Sequence, residues 1–264
     1  MFGYQLYYLT ISPQPKQNRF FYRIYGVMHA GERIRFLHVC KLVKQNVDSP
    51  KRILDAGSGN GNYAFYLGRL FPNAKITAVD ISRERIQNAS YVANLLQMEH
   101  LSFNRKSLND LKEKLKYDLV ICIDVLEHIR NDSLVLRNIS ESLRPGGSLI
   151  LHVPKDRKLA FRHFKKLRGF RIEDHVREEY RIEEILEKIE RAGLKVNNLS
   201  YTQGWFGSLA WEIDLFLVVH LRKLRYIVFP FLYLLILADV YGKNGNGNGF
   251  LFHCLRVQDY PETG

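Results

Sequence analysis

Apolar and polar positions alternate in blocks along the chain, and the blocks follow a regular order. Short apolar segments typical of buried strands are "RILDA", "KITAVD", "LSFNRKS", "YDLVICID" and "SLILHV". Between them, apolar residues recur every three or four positions and predict helices over residues 62–71, 82–96 and 132–143, with Ser82 as an N-cap. Strands that alternate with helices of this length predict an α/β fold with a parallel sheet covered on both faces.

Further elements are predicted at both ends of this alternating region. Residues 19–47 have the spacing of a helix, and residues 155–171 form a basic linker. After the linker come an amphipathic helix that ends at Gly193, the strand "KVNNLSY" and the strand "FLFHCLRV". Residues 202–249 lie between these two strands and are too long and apolar for an unstructured loop. We therefore predict a helical insertion with a flexible exit at "GKNGNGNG".

The predicted elements divide the chain into three parts. Residues 1–50 form an N-terminal helical cap, residues 51–201 and 250–260 form the core, and residues 202–249 form a hydrophobic helical insertion. The apolar run from Tyr226 to Ala238 is shorter than the ~20 residues that span a bilayer, and Pro230 interrupts it, so we expect no membrane span.

Cysteine usage and charge limit the location and the partners of the protein. The three cysteines form no CxxC pair, and the first residues lack the pattern of a signal peptide. We therefore expect buried reduced thiols in a cytoplasmic protein. The net charge of +12 favours an anionic partner, which leaves nucleic acid, an anionic lipid surface and a phosphorylated substrate open.

The segment "LDAGSGNG" predicts a ligand site at the end of the first strand. Gly57, Gly59 and Gly61 allow a tight turn and a close approach of a ligand to the main chain. A nicotinamide-binding fingerprint needs glycine where this chain has Asn62, which disfavours an oxidoreductase. A Walker loop is excluded because no Gly-Lys-Ser/Thr follows.

Four motifs in register resemble those of class I S-adenosyl-L-methionine-dependent methyltransferases. They are "LDAGSGNG", the "VD" that ends at Asp80, "YDLVICIDVLEHI" and "LRPGG", and they extend over residues 51–153. The resemblance implies a Rossmann-like seven-stranded methyltransferase sheet with helices on both faces. It also implies S-adenosyl-L-methionine as the cofactor and methyl transfer as the activity. A catalytically silent cofactor-binding subunit, which presents its insertion to a partner, is the alternative.

The resemblance also implies a set of cofactor-binding residues. Asp55 would lie near the cationic amino group of the cofactor, and Asp80 would accept hydrogen bonds from both ribose hydroxyls. The family often has an acidic residue where this chain has Ser107, so the adenine contact rests on Ser107 and the backbone of Leu108. The full set is Asp55, Ala56, Gly57, Ser58, Gly59, Gly61, Asp80, Ile81, Ser107, Leu108, Ile123 and Asp124.

Candidate general bases lie near the predicted strand ends. His128 follows the fourth strand, and His175 lies in a segment that often forms a lid in relatives. Glu127 and Tyr180 are lesser candidates. His128 as a loop-orienting residue and His175 as a helix cap are the structural alternatives. His152, inside the fifth strand, is expected to be a core histidine, and no metal-ligand spacing is present.

The methyl acceptor is predicted from what the chain lacks and from its insertion. No Asn-Pro-Pro-Tyr or Pro-Cys motif of DNA methylases is present, so we expect no nucleic-acid partner. Aromatic residues and the Tyr226–Ala238 run lie beside Arg222, Lys223 and Arg225, which suits contact with anionic lipid. We predict in-line methyl transfer to a small lipophilic or lipid-linked acceptor, with peripheral membrane contact. An extra helical layer or a dimer face is the alternative role of the insertion, and the oligomeric state stays open.

Overall fold

The computed structural model describes residues 29–155 and 179–257. Its seven strands are β1 (Arg52–Ala56), β2 (Lys75–Asp80), β3 (Leu101–Arg105), β4 (Tyr117–Ile123), β5 (Leu143–Pro154), β6 (Leu194–Thr202) and β7 (Gly249–Arg256). Its described α-helices are α1 (Ala30–Asn46), α2 (Asn62–Leu70), α3 (Arg83–Leu95), α4 (Asp132–Ser142), α5 (Ile182–Arg191), α6 (Trp205–His220) and α7 (Arg222–Tyr241).

The strands form one sheet in the order β3-β2-β1-β4-β5-β7-β6. The first five strands pair in parallel, and β7 is antiparallel to both of its neighbours, β5 and β6. The carboxyl ends of β1, β2, β4, β5 and β6 therefore lie at one edge, where β7 begins. This topology confirms the predicted seven-stranded α/β fold and assembles the glycine segment with the ends of β4, β5 and β6.

Alternate residues of the strands supply two apolar clusters, one on each face of the sheet. Leu54 and Val120 pack in a cluster with residues of α4 and α5, such as Ile139 and Ile185. Their chain neighbours, Ile53 among them, pack in the other cluster with residues of α1, α2 and α3. The side chains of neighbouring strand residues point to opposite faces, so helices on both sides are needed to bury them.

Several element boundaries differ from the prediction. Strand β5 already begins at Leu143, so "RPGG" lies inside a bulged strand and is not a turn that precedes it. Strand β3 ends at Arg105 because Ser107 accepts a hydrogen bond from the backbone N–H of Asn109 and starts a short 3₁₀ turn. The predicted N-terminal helix is described from Ala30 onward, and its residues 19–28 lie outside the described residues.

The insertion between β6 and β7 is helical, as predicted. Helices α6 and α7 are joined at Leu221 and form a hairpin. The exit of the hairpin, which was predicted to be flexible, is held by hydrogen bonds: the side chain of Asn244 donates to the carbonyl of Asp239, and the backbone N–H of Asn248 donates to the carbonyl of Thr202.

The expectation that Pro230 shortens the apolar helix was wrong, because α7 continues through this residue for 20 residues. By length and composition alone α7 could cross a membrane, with 28% of its most apolar window buried in the protein.

Helix α1 joins the hairpin to the sheet. An apolar cluster combines Ala30 and Ile34 of α1 with Ala210, Ile236 and Val240 of the hairpin. Two buried carboxylates reinforce this contact. The Asp239 side chain accepts hydrogen bonds from His38 Nε2 at 2.9 Å and from the backbone N–H of Gly207 at 3.0 Å. Asp214 accepts the backbone N–H of Ala30 at 3.0 Å and pairs with Arg225 at 2.6 Å.

The three cysteines are buried free thiols, as predicted. Burial raises the pKa of the Cys40 and Cys254 thiols to about 12, so both are protonated and unreactive at neutral pH.

Candidate functional site

The three glycines after β1 all have positive φ angles, but their surroundings differ. A Cβ atom at Gly57 (φ +83°) would lie 2.3 Å from Val125, and one at Gly61 (φ +79°) would lie 2.7 Å from Phe103. At Gly59 (φ +53°) the nearest heavy atom would be 3.9 Å away, on Arg85. Gly57 and Gly61 are therefore required by protein packing, whereas the absent side chain of Gly59 leaves open space.

The carboxylate of Asp80 lies directly against this bend. One oxygen accepts the backbone N–H of Gly59 at 2.8 Å, and the other accepts the backbone N–H of Ser82 at 2.9 Å. Each oxygen retains a second lone pair that can accept a further hydrogen bond. The next residue, Ile81, is an apolar side chain that is 69% exposed. An acceptor pair beside an exposed apolar side chain suits a ribose and its base.

Asp55 lies beneath the bend and is almost fully buried. One of its carboxylate oxygens accepts the backbone N–H of Ala64, in the first turn of α2, at 3.0 Å. Burial raises the pKa of Asp55 to about 7, and the charge of Asp80 acts in the same direction, although the bond to Ala64 opposes them. A positive charge placed near Asp55 would therefore convert a group that is partly protonated at neutral pH to its ionised form.

A cavity of about 280 Å³ lies between the glycine bend and α1. On the bend side it is lined by Gly57, Ser58, Gly59, Asn60, Asn62, Tyr63 and Arg85, on the α1 side by Glu32, Arg33, Arg35 and Phe36, and at the end of β4 by Ile123 and Asp124. Within the described chain, Ser58 Oγ and Asn62 Oδ1 are buried without a hydrogen-bond partner. We call this the first cavity; its unpaired polar atoms are available to a ligand.

The α1 side of the first cavity was missed by the sequence analysis. These residues lie on a helix that was predicted, but they belong to no motif, and only the fold brings them opposite the glycines. Conversely, Ser107 and Leu108, predicted to contact adenine, are not among the described lining residues. The Leu108 side chain is buried in the core, and its carbonyl accepts a hydrogen bond from Asn138 at 3.0 Å. Their adenine contact stays a prediction.

A second cavity, of about 210 Å³, adjoins the first and shares Arg35 and Asp124 with it. Its other lining residues are Glu127, His128, His152, Pro154, Thr202, Gln203, Asn248 and Gly249. Two candidate bases thus lie here, with Glu127 buried and His128 exposed. Most residues that line this cavity have polar side chains, whereas a predominantly apolar tunnel is what a fully enclosed lipid would need.

A chain of polar contacts crosses the second cavity. Arg35 Nε lies 2.5 Å from one carboxylate oxygen of Asp124, and the other oxygen is in very close contact with His152 Nδ1. His152 Nε2 lies 2.8 Å from Thr202 Oγ1. His152 is buried with both ring nitrogens paired, as expected of a core histidine, but it also lines the cavity. The sequence did not predict that His152 lines the cavity, because the strand pattern does not show that Thr202 lies beside it.

The remaining candidate bases lie elsewhere. The Tyr180 hydroxyl is buried and donates to Asp132 at 2.9 Å, and Lys188 pairs with the same carboxylate at 2.6 Å. Tyr180 is not among the described residues that line either cavity, and this placement favours a structural role over catalysis. His175 and most of the basic linker lie outside the described residues.

Comparisons with known proteins agree with this fold. A family model described as "Methyltransferase domain" matches residues 32–199, more than half of the chain. The chain therefore belongs to the methyltransferase-domain family, of the class I type whose cofactor is S-adenosyl-L-methionine.

Individual relatives are more distant. A protein named Ubiquinone biosynthesis O-methyltransferase, from Rickettsia prowazekii, is 28% identical over 141 residues, which are 52% of this chain and 54% of the relative. The chain thus spans about half the length of the curated relatives it matches.

Solved structures show the same fold at low identity. One is the [4+2]-cyclase SpnF, with a TM-score of 0.60, 18% identity and coverage of 84% of this chain and 80% of that one. Another is phosphoethanolamine N-methyltransferase 2 of Haemonchus contortus in complex with S-adenosyl-L-methionine, with a TM-score of 0.60, 15% identity and coverage of 93% and 61%.

Proposed function

We propose that this protein is an S-adenosyl-L-methionine-dependent methyltransferase acting on a small acceptor with a compact polar head and a lipophilic remainder. The observation that carries the proposal is the meeting of two cavities at Asp124, at the carboxyl edge of the sheet. One is bordered by the glycine bend and the other by titratable side chains. In parallel sheets such an edge is where ligands bind.

The first cavity and two carboxylates beside it, which are not among its lining residues, offer the donors and acceptors that the cofactor needs. Asp80 offers acceptors for the ribose hydroxyls, and Asp55 offers a negative charge for the ammonium group. Ser58 Oγ and Asn62 Oδ1 offer unpaired polar atoms, and Gly59 leaves the bend accessible. When bound, the cofactor supplies an electrophilic methyl group, and the task of the protein is to align the acceptor with it and to exclude water.

The second cavity favours an acceptor whose reacting end is small and polar. At about 210 Å³ it accommodates a compact head group, and its side chains offer hydrogen bonds to a hydroxyl or an amine. Gln203, in its wall, precedes Trp205 and Phe206, an exposed aromatic pair in edge-to-face contact at the start of α6. These rings provide an apolar surface for the rest of the acceptor. The relatives named Ubiquinone biosynthesis O-methyltransferase support an acceptor of this kind.

Methyl transfer to a matched pair of phenols tests the proposal. We expect labelled methyl groups from S-adenosylmethionine to appear on a phenol that carries one isoprenyl chain, and more slowly on the same phenol without it. Trp205→Ala should reduce the difference between the two phenols by raising KM for the prenylated one alone. If S-adenosylhomocysteine binds but neither phenol is methylated, the alternative of a catalytically silent cofactor-binding subunit is favoured.

The outer face of α7 supports a peripheral contact with an anionic membrane. Ile227, Phe231, Leu234 and Tyr241 lie on one side of the helix and are each between 63% and 71% exposed. Arg222 and Lys223 are exposed at the start of the same helix. The opposite side of α7 is buried against α6 and α1. A helix buried on one side and apolar on the other, with basic residues nearby, has the geometry of an interfacial helix.

Flotation with vesicles tests this contact. The protein should float with vesicles that contain anionic lipid and remain behind with neutral ones. Phe231→Ser and the double variant Arg222→Glu/Lys223→Glu should each reduce flotation several-fold, whereas Tyr91→Ser on α3, which removes another exposed aromatic ring, should not. A protein that does not bind the vesicles but dimerises through Phe231 would show that the outer face of α7 is a dimer face.

A further inference from the structure

Three strand ends place three side chains in one hydrogen-bonded series at the second cavity. Asp124 follows β4, His152 lies near the end of β5, and Thr202 ends β6. The carboxylate of Asp124 contacts His152 Nδ1, and His152 Nε2 lies 2.8 Å from Thr202 Oγ1. All three residues line the cavity. The series therefore connects a partly buried anion to a hydroxyl group at the cavity wall.

The direction of each hydrogen bond follows from the chemistry of the groups. An ionised carboxylate only accepts, so His152 Nδ1 donates its proton to Asp124. The Nε2 atom of a neutral imidazole is then an acceptor, and the Thr202 hydroxyl donates to it. This leaves the lone pairs of Thr202 Oγ1 free to accept a proton from a donor in the cavity. Arg35, paired with the second oxygen of Asp124, keeps this carboxylate ionised and oriented.

Two further observations indicate that the backbone around the series is specifically suited to these contacts. A Cβ atom at Gly249 would lie 2.5 Å from both His152 Nε2 and Thr202 Oγ1, so the contact requires glycine there. In addition, Asp124 (φ +53°) and Gln203 (φ +55°) are two of the four described non-glycine residues with positive φ. Such conformations cost roughly 1–3 kcal/mol each and cluster at functional sites.

We propose that Thr202, His152 and Asp124 form a proton relay that deprotonates the acceptor, which makes a hydroxyl the methylated group. This inference rests on the proposed function. As the bond between the acceptor oxygen and the methyl carbon forms, the methyl–sulfur bond of the sulfonium would break and leave neutral S-adenosylhomocysteine. The O–H bond of the acceptor breaks as well, and its proton passes to Thr202 Oγ1. The original proton of Thr202 moves to His152 Nε2, and the resulting imidazolium is stabilised by Asp124. When product leaves, His152 returns the proton to solvent through Thr202.

In this scheme Thr202 is the catalytic residue, because it touches the acceptor. His152 takes the proton through Thr202, and Asp124 and Gly249 are positioning residues. His128, which the sequence favoured, lines the same cavity and is exposed.

The tautomer of His152 tests the relay without any acceptor. In protein labelled with ¹⁵N at histidine and saturated with S-adenosylhomocysteine, we expect NMR to show a neutral His152 ring with the proton on Nδ1. Thr202→Val should shift the Nε2 resonance, because this nitrogen loses its donor. A ring with its proton on Nε2 would overturn the relay, since Nε2 could not then accept from Thr202.

Transfer to phenols of different acidity tests the catalytic role. His152→Gln and Thr202→Val should lower kcat for a weakly acidic phenol by about 100-fold or more, the scale of general-base catalysis, with little change in KM. A nitrophenol that is already ionised at the assay pH needs no relay and should lose less than 10-fold. Thr202→Ser should restore most of the rate, and Gly249→Ala should behave like His152→Gln.

His253→Gln is the matched control, because His253 is also buried and hydrogen-bonded, to Ser148 and Asn197, but lies outside both cavities. Equal losses with both phenols would overturn the relay. A protein that does not bind S-adenosylhomocysteine, or one that binds it but methylates no phenol, would contradict the proposed function instead.

Discussion

At the scale of single residues, the bend after β1 combines two requirements in one short sequence. Gly57 and Gly61 have no side chain because Val125 and Phe103 occupy the space, whereas Gly59 has none on the open side that faces Arg85. A motif of three glycines is thus partly a packing motif and partly a binding motif. Substitution should separate the two contributions.

Gly57→Ala should destabilise the fold more than Gly59→Ala. The first combines a positive φ with a clash against Val125, and we expect a loss of about 2–4 kcal/mol in the free energy of unfolding. The second has only the backbone cost, about 1–2 kcal/mol, but places a methyl group at the cavity wall. Urea denaturation measures the loss of stability of both variants. Calorimetric titration with S-adenosylhomocysteine measures the effect of the added methyl group of Gly59→Ala on cofactor binding. Equal effects on stability would contradict this division.

Asp55 should make cofactor binding depend on pH. Its pKa of about 7 in the free protein lies far above the usual value of 3.8 because of burial. An ammonium group nearby favours the ionised form, so binding should release a proton between about pH 5 and 7, and affinity should rise with pH up to about 7. Calorimetry in buffers of different ionisation enthalpy counts this proton.

Asp55→Asn should abolish the proton release while keeping an acceptor for Ala64. The same raised pKa makes the folded wild-type protein lose stability as the pH rises from about 4 to 7, because the folded state then binds more protons than the unfolded state. The Asn variant should lack this slope. A wild-type protein that binds the cofactor without releasing a proton would show that the ammonium group of the cofactor does not change the ionisation of Asp55.

At the scale of elements, α1 is the link between the helical hairpin and the site. One side of α1 lines the first cavity with Arg33 and Phe36, and another packs on the hairpin through Ile34 and His38. The position of the cavity wall therefore depends on contacts made far along the chain. Asp239, fully buried on α7, depends on His38 as one of its partners.

His38→Leu should lower the free energy of unfolding by about 1–3 kcal/mol, because it removes one hydrogen-bond partner of the buried Asp239 carboxylate. It should also weaken binding of S-adenosylhomocysteine, since α1 is then held less firmly. His100→Leu is the matched control, because the His100 ring is hydrogen-bonded to a neutral carbonyl, that of Gly68 on α2, and not to a buried carboxylate. Unchanged cofactor affinity in a destabilised His38→Leu variant would contradict the link through α1.

The elements that the sequence predicted are those whose signals are local. The alternation of strands and helices and the Ser82 cap depend on neighbouring residues and were confirmed. The predicted start of β5 was wrong because Pro145 and two glycines are typical of a turn, yet the pairing of Leu143 with Tyr117 of β4 extends the strand. The prediction that Pro230 interrupts the apolar run was also wrong, because packing on α6 and α1 stabilises a helix that continues through this residue.

At the scale of the whole molecule, the site is a property of the sheet edge. Asp80 and the glycine bend were predictable because a motif carries them, and they lie against each other as the motif implies. Arg35, His152 and Thr202 were not, because their significance comes from the meeting of α1, β5 and β6 at Asp124. No pattern of neighbouring residues records a contact between positions 28 residues or more apart.

The central claim is that the bend and Asp80 hold S-adenosylmethionine, and calorimetric titration with S-adenosylhomocysteine tests it most directly. We predict one site per chain in the wild-type protein and at least 10-fold weaker binding by Asp80→Asn, which loses a charged acceptor pair. The Asp110→Asn variant changes an exposed acidic residue in the short 3₁₀ turn after β3, and it should bind S-adenosylhomocysteine as the wild type does. A wild-type protein that binds nothing, or an Asp80→Asn variant that is folded and binds equally well, would contradict the account.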